Sequence, residues 1–475
     1  MVLRVCFLKK DEYIMSSGNL RIEKIGGTSM TQFPVIMENI ILRDKADLFN
    51  RIYVVSAYGG VTNELLEHKK TGKPGIYKKF EDLSDYRSAL ESLKVSLCKM
   101  NEKYVDAGLD LDNANRFITS RIDDTVSVLN AMFEVLSSGY VNRKHILLAA
   151  REILASLGEI HSAYNSAEMV KHAGYPAAFV DLSGWGDGRE LTIDQRIVDT
   201  FKHVNPSTHI CFATGYTKGI EGIMREFDRG YSEVTFSKVA VLLKASEAVI
   251  HKEFHLCSGD PNIIGEDRVK PVCNTNFDVA DQLADVGMEA IHPKASKPLE
   301  LAEIPIRIKN AFDPEHEGTL ITRDYIRPDS KTEVVTGSDK VTCVEIHDTR
   351  MVGEVGFDLR IMNILETFDV SYISKATNAN TIGIVMNDTD CIDELCVALQ
   401  EKFELVTKEE VAIVCAIGSN IARPGVLSEA AKALAEANIN ILAVSQTTRQ
   451  TNMQFIVRRE HFFDAQRALH RALCE

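Results

Sequence analysis

The feature that most constrains this chain is an apolar, β-branched run that breaks at a glycine pair, continues as a helix and returns as a second run of the same kind. Leu20-Arg21-Ile22-Glu23-Lys24-Ile25 reads as a strand and Gly26-Gly27-Thr28-Ser29 as a turn. Residues 31–44 then read as a helix, and Arg51-Ile52-Tyr53-Val54-Val55-Ser56 as a strand apolar enough to be buried on both faces. Strand, glycine turn, helix, strand is the order of a parallel βαβ unit. Residues 1–19 precede the pattern and are expected to form an N-terminal extension.

The same grammar continues. Between about residues 78 and 173 charges alternate with Leu, Val, Ile and Ala at three- and four-residue spacing, as in amphipathic helices. Strands return at 177–181, 208–213, 247–251 and 304–308, separated by helical segments at 193–204, 232–245 and 277–288. This predicts one α/β domain over residues 20–330, a mainly parallel sheet sandwiched by helices, closed by the polar connection Pro328-Asp329-Ser330-Lys331. Beyond it the texture repeats. Gly356 precedes Val370 by the same spacing that separates Gly425 from Ile439, and each copy runs strand, glycine turn, helix (357–367 and 426–437), strand. Two α+β ferredoxin-like βαββαβ modules are expected at 341–403 and 411–475.

Composition narrows the partners. With 54 Lys plus Arg against 68 Asp plus Glu, the net charge of -14 gives no global basic field for nucleic acid or an anionic membrane. No run approaches the about 18 apolar residues of a membrane helix, and Lys9, Lys10, Asp11 and Glu12 interrupt the leading segment. A cytoplasmic location is expected. The ten cysteines are scattered without a Cys-x-x-Cys pair, which favours small buried hydrophobes over zinc ligation or a disulfide frame. No direct protein ligands to a metal are expected.

Chemistry concentrates at the ends of the strands. In Lys24-Ile25-Gly26-Gly27-Thr28-Ser29 the glycines let backbone amides approach a phosphate, and the lysine adds a full positive charge. It is not a Walker A loop, because no G-x-x-x-x-G-K-[ST] occurs in the chain. Its companions are Ser56-Ala57-Tyr58-Gly59-Gly60-Val61-Thr62-Asn63, the pair Gly158-Glu159, and Arg229-Gly230-Tyr231-Ser232-Glu233, which opens a helix. Ser232 is expected to cap that helix, with Phe236, Val239, Ala240 and Leu243 as its buried stripe. The helix start would then face the edge where open α/β sheets bind ligands.

This ordered set resembles the aspartokinases of the amino-acid kinase superfamily. Their pattern of Lys-x-Gly-Gly-Thr-Ser, Ser-Ala-x-x-Gly-x-Thr-Asn, Gly-Glu, Arg-Gly-x-Ser-Asp, Ala-x-x-x-His-Pro and paired ACT modules appears here at 24–29, 56–63, 158–159, 229–233, 287–293 and 341–475. A closer likeness is to the branch that accompanies ectoine biosynthesis genes. The resemblance implies transfer of the γ-phosphoryl of MgATP to the β-carboxylate of L-aspartate, the first step towards lysine, threonine, methionine and, in that branch, ectoine.

Carried over by position, Lys24 would neutralise the transferred phosphoryl, Gly26, Gly27, Thr28 and Ser29 would line the phosphates, and Glu233 would hold Lys24. Arg229 would pair with the substrate α-carboxylate and Glu159 with its α-ammonium, while Ser56, Thr62, Tyr216 and Ser232 complete the pocket. On the nucleotide side the matching positions are Glu253 and Asp260. The effector contacts it implies in the first ACT module are Met351, Val352, Gly353, Ser371 and Tyr372, and a homodimer through these modules is implied.

The sequence also departs from the pattern. Glu233 stands where Asp is usual, Tyr231 where Gly is common, Asn262 where an Arg is expected and Glu289 where many relatives carry a lysine. An acid about 4 Å from a triphosphate charge is unfavourable by about 1–4 kcal/mol, depending on screening. Arg268 or Lys294 is therefore expected to replace the lost cations. Two alternatives stay open on sequence grounds: an amino-acid sensor with an impaired kinase domain, and a kinase for another carboxylate such as glutamate or acetylglutamate.

Overall fold

Alternation and burial in the first two strands settle the sheet. In the structure, a computed structural model that describes residues 19–69, 71–227, 230–288 and 290–475, β1 (Arg21–Ile25) pairs in parallel with β2 (Arg51–Val55), Lys24 opposite Val54. Every residue of β2 is buried. The chain divides into two compact units. The first comprises the chain up to Glu253 with Lys297–Ile306 and Ala311–Pro314, the second Phe254–Ser296, Arg307–Asn310 and Glu315–Glu475.

In the first unit β3 (Ala177–Val180), β4 (Ile210–Thr214) and β5 (Glu247–Lys252) extend the sheet in the order β3-β4-β2-β1-β5, all parallel. The helix expected at 31–44 is broken into α1 (Gly27–Thr31), a turn at Phe33–Ile36 and a wider π-type turn at Met37–Ile41. Pro34 explains the break, since it has no N–H to give to the carbonyl of Met30. The segment 78–173 forms the helices α2 (Tyr86–Glu102), α3 (Leu111–Ser137) and α4 (Arg143–His172). Asp85, Asp110 and Asn142 cap them, each accepting from a first-turn N–H. The unit's last long helix, α5 (Tyr231–Leu242), covers β1 and β2.

Beneath the glycine turn, three strands are tied by a buried ionic cluster. Glu23 on β1 accepts from Arg51 on β2 at 2.5 and 3.0 Å and pairs with His251 on β5 at 2.7 Å. Burial alone would raise the Glu23 pKa; the Arg51 charge and the His251 hydrogen bond outweigh it and hold the carboxyl well below its usual range. This fixes the register of the strands that carry Lys24.

The second unit contains β6 (Asn274–Asn276), α6 (Phe277–Asp285), all but the first residue of β7 (Ile306–Asn310), and β8 (Thr319–Thr322), with β6 and β8 parallel. Its larger sheet has six strands: β9 (Val334–His347), β10 (Ser374–Thr377), β11 (Thr381–Asn387), β12 (Leu405–Ile417), β13 (Ala443–Gln446) and β14 (Asn452–Arg458), ordered β10-β11-β9-β12-β14-β13. Helices α7 (Phe357–Thr367), α8 (Ile392–Gln400), α9 (Val426–Glu436) and α10 (Phe462–Leu473) complete the two repeats. The copies follow each other in sequence yet share their central strands. Val341–His347 of β9 pairs with the first half of β12, whereas the earlier Val334–Ser338 pairs with Ile413–Ile417, across a register shift between Val411 and Ile413. A strand that precedes the first copy thus lies beside the second. Val279 and Leu283 of α6 join Val334, Val341, Ile413 and Ile417 in one apolar core. Among the described residues, no helix is long and apolar enough to cross a membrane.

Candidate active site

The turn after β1 is close enough to the turn after β2 to exclude any side chain. A Cβ on Gly27 would lie 2.7 Å from the carbonyl oxygen of Ala57, so only glycine lets the two loops meet. Thr31 locks them together: its hydroxyl accepts from the Gly59 N–H at 2.9 Å and donates to the Gly27 carbonyl at 3.2 Å. Gly26 stands at the start of α1, its carbonyl accepting from Met30 N at 2.9 Å. Two residues before the turn, Lys24 Nζ is 3.0 Å from Glu233 Oε1 on α5, and both side chains are mostly buried. The longer carboxylate at 233 does reach the lysine. Ser29 Oγ donates to Glu253 Oε1 at 3.1 Å, which places that acid at the α1 end of the site.

The opposite wall comes from α4. A Cβ on Gly158 would fall 2.5 Å from the Cβ of Ala57, so glycine lets the helix press against the β2 loop. That contact carries Glu159 to the cavity wall, where it is 1% exposed. Glu159 Oε1 accepts from the Tyr231 hydroxyl at 2.7 Å and from Ser232 Oγ at 3.3 Å. Its Oε2 is buried with no hydrogen-bond partner among the described residues. Burial is the largest influence on this carboxyl, and its pKa is raised to about 7 although both hydroxyls favour the ionised form. Ser162, one turn further on, donates to the Ser56 carbonyl at 2.9 Å.

These elements enclose a cavity of about 580 Å³ whose lining includes Gly27, Thr28, Ser56, Thr62, Glu159 and Ser232. Six residues singled out from the sequence therefore face one space, with the Lys24–Glu233 pair and the Ser29–Glu253 pair in the same unit. Other expectations are corrected. Ser232 is not the cap of α5; Gly230 occupies that position, and the Ser232 hydroxyl is directed to Glu159 instead. Tyr216 is buried and hydrogen-bonded to Glu152 at 2.8 Å, facing a different cavity. Arg229 falls outside the described residues, as does Glu289.

Asp260, Arg268 and Lys294 belong to the second unit. Asp260 caps the short helix Pro261–Ile264. Arg268 engages Glu475 through two nitrogens, at 2.6 and 3.0 Å. Lys294 lies in the first turn of the helix Pro293–Leu301. The expected effector residues fall into two groups that adjoin different strand positions. Met351–Gly353 follow His347, which pairs with Thr381, whereas Ser371 and Tyr372 precede Ile373, bonded to Val385 opposite Cys343. Four strand positions, about 13 Å, separate those two ends of the sheet.

The sequence reading missed several lining groups. Tyr231 was noted only as a departure, yet its hydroxyl orients Glu159. Tyr58, His68 and Lys69 also line the cavity. The basic run from His68 to Lys70 in a loop after the Thr62-Asn63 motif is the signal that would have flagged the last two.

Residues 19–310 match the amino acid kinase family, and residues 414–473 match an ACT domain. The aspartate kinase Ask_Ect of Stutzerimonas stutzeri (strain A1501) is 43% identical over 462 residues, covering 96% of this chain and 97% of its own. Chloroplastic aspartokinase 1 of Arabidopsis thaliana is 26% identical over 481 residues, 96% of this chain and 80% of that protein. Among solved structures, E. coli aspartokinase III in complex with aspartate and ADP shares the fold, with a TM-score of 0.72 at 20% identity over 96% of this chain and 100% of that one.

Proposed function

The chain belongs to the aspartate kinase branch of the amino acid kinase family, and on that premise we propose that it transfers the γ-phosphoryl group of ATP to the β-carboxylate of L-aspartate. The bond from the γ-phosphorus to the bridging oxygen breaks, a bond from phosphorus to a carboxylate oxygen forms, and ADP and 4-phospho-L-aspartate leave. The accepting carboxylate is ionised at neutral pH, so the site needs no general base. It needs positioning and charge neutralisation.

One observation carries this reading above the others: Glu159 lines the cavity that both glycine turns line, and its buried carboxylate has one oxygen without a partner among the described residues. A substrate α-ammonium would satisfy that oxygen and restore the ionised form that burial disfavours. Ser56, Thr62 and Ser232 offer hydroxyls beside it. Arg229 is assigned to the α-carboxylate by its motif alone. Lys24, held at 3.0 Å by Glu233, is the cation for the migrating phosphoryl, and the Gly26-Gly27 turn provides amides without side chains in the way. Tyr216 contributes through Glu152 rather than by lining this cavity.

ATP is used with a divalent cation, in this proposal Mg2+, which neutralises phosphate charge. Glu253, oriented by the Ser29 hydroxyl, is the carboxylate that would meet the waters of such an ion, in keeping with a hard cation carried largely by phosphates and water. Asp260 and Lys294 are proposed to contact nucleotide, whereas Arg268 is committed to Glu475. The repeats at the C-terminal end are proposed to bind an amino-acid effector and to join two copies of the chain. Exposed Val352, Val355 and Leu359, close in sequence in the first repeat, support a self-association surface. The balance of charge and the absence of an apolar span among the described residues favour work in the cytoplasm.

The test is ADP release with L-aspartate, L-glutamate and N-acetyl-L-glutamate in parallel, with the acyl phosphate trapped as its hydroxamate. Aspartate-dependent ADP and hydroxamate are expected in equal amounts. Turnover with either other acceptor at higher kcat/KM, or ligand-induced stabilisation without any turnover, would replace this reading.

A further inference from the structure

A second cavity in the first unit, about 540 Å³ in volume, lies against the turns of α4 that precede Glu159. Its size suits a small ligand. Leu148, Ala149 and Ile153 on α4, with Val128, Trp185 and Ile220, make its walls apolar. Its polar groups are Glu152, the hydroxyls of Ser156, Ser183 and Tyr216, the His145 imidazole, and two cations, Lys218 and Arg225. Lys218 Nζ donates to the carbonyls of Asp187 at 2.8 Å and Gly184 at 3.4 Å, which leaves one of its three N–H groups over. Arg225 and His145 stand at the rim, both exposed.

The carboxylate in this lining is already engaged. Glu152 accepts from the Tyr216 hydroxyl at 2.8 Å and from the Met224 N–H at 2.8 Å. Asp187, just outside, is taken up by Arg189 and Arg196. An apolar chamber with spare positive charge at its mouth is complementary to an apolar body that ends in one negative group.

The cavity is also joined to the proposed substrate site by a continuous chain of contacts. Glu152, Ser156 and Glu159 follow one another along one face of α4. Glu152 holds Tyr216, whose ring meets that of Tyr231 edge-on at 6.0 Å, and Tyr231 holds Glu159 at 2.7 Å. A change at Tyr216 therefore reaches the carboxylate proposed to grip the substrate ammonium.

The geometry points to a second ligand site here, for a ring-sized apolar carboxylic acid, whose occupancy is communicated to the aspartate pocket through Glu152, Tyr216, Tyr231 and Glu159. The communication half rests on the proposed aspartate kinase reaction; the binding half does not. Lys218 and Arg225 take the carboxylate, and the ring lies along Ile153 and Trp185. Lys218 is shifted towards the neutral form by burial and by Arg196, so an incoming anion is favoured for restoring its charge.

Trp185 is the chain's single tryptophan, so fluorescence excited selectively at tryptophan, beyond tyrosine absorption, reports on this cavity. The full-length protein is titrated with 3-phenylpropanoate, with 3-phenylpropanol and 3-phenylpropylamine as neutral and cationic controls. A saturable change with the acid is expected, with the controls weaker by about tenfold or more, the value of one charge-assisted hydrogen bond. Lys218→Gln should weaken the acid by a similar factor and leave the alcohol unchanged. Ala149→Phe, which fills the chamber, should abolish all binding. Equal binding of the three probes, no saturable response, or an acid response untouched by both variants overturns the site. Saturating acid should also shift the KM for L-aspartate in the wild type and not in Tyr216→Phe. Binding without such a shift overturns the communication and leaves the site standing. Because fluorescence needs no turnover, a failed kinase assay does not masquerade as a failed site.

Discussion

The Tyr231 hydroxyl donates a 2.7 Å hydrogen bond to one oxygen of the Glu159 carboxylate and leaves the other oxygen buried without a partner among the described residues. The tyrosine thus fixes the acid's orientation, and burial raises its pKa to about 7. The carboxylate is ready to meet a cation, and it is costly to keep ionised until one arrives. That balance governs what the site should do when it is perturbed.

Glu159→Gln keeps the shape and removes the charge. Loss of one member of a buried charge pair costs about 2–5 kcal/mol. The KM for L-aspartate should rise by at least about thirtyfold, with the KM for ATP changed far less. Steady-state kinetics with each substrate varied in turn checks this, and a parallel rise in both constants would count against an ammonium contact.

The same acid predicts a pH dependence with a definite sign. Because the folded-state pKa lies above the ordinary carboxylate range, the proton is bound more tightly in the folded chain. The associated stability is present at low pH and is lost as pH rises through about 7. Substrate binding runs the other way, since the ammonium needs the ionised form. Below that point the apparent KM for aspartate should fall by up to about tenfold per pH unit of increase, then level off. Tyr231→Phe removes a hydrogen bond that favours the carboxylate, so the levelling-off should move to higher pH. A KM profile flat across this range in both proteins would remove the assignment.

Lys24→Ala should lower kcat by about 10²–10³, the usual effect of deleting one charge-stabilising donor, while circular dichroism stays that of the wild type. Glu233→Gln retains a hydrogen-bond partner for Lys24 and should cost less than the lysine deletion. Near-normal turnover by Lys24→Ala would refute its role as the phosphoryl cation.

Gly158→Ala puts a methyl group into a space where its Cβ would meet that of Ala57 at 2.5 Å. The overpacking should destabilise the protein by about 1–3 kcal/mol and push α4 away from the β2 loop. Because Glu159 is the next residue, aspartate affinity should fall together with thermal stability. A variant that loses stability alone would show that Glu159 tolerates displacement of its helix.

Much of this arrangement was legible from local pattern. β-Branched runs ending in Gly26-Gly27 and at Ser56 marked adjacent parallel strands, because strand periodicity and turn chemistry act over a few residues. The spacing of Gly356 and Gly425 marked the two repeats, and helices begin directly after both glycines. Pro34 also carried a local signal, a missing N–H, that the expected long helix overlooked.

What the chain order alone determined was which chemical groups stand at the ends of which strands: a lysine before a glycine pair, a second glycine loop, an acid after a glycine on a helix. Tertiary packing decided where those groups point. Only the approach of α4 to the β2 loop shows that Ser232 serves Glu159 rather than its own helix end, and that Tyr216 turns to Glu152. Likewise only strand pairing reveals that Val334–Ser338 runs beside the second repeat and that the two groups of candidate effector residues adjoin strand positions four apart. The physical reason is range. Backbone preference is set by neighbours in sequence, whereas the partner of a buried side chain is set by whatever distant segment the hydrophobic core brings against it.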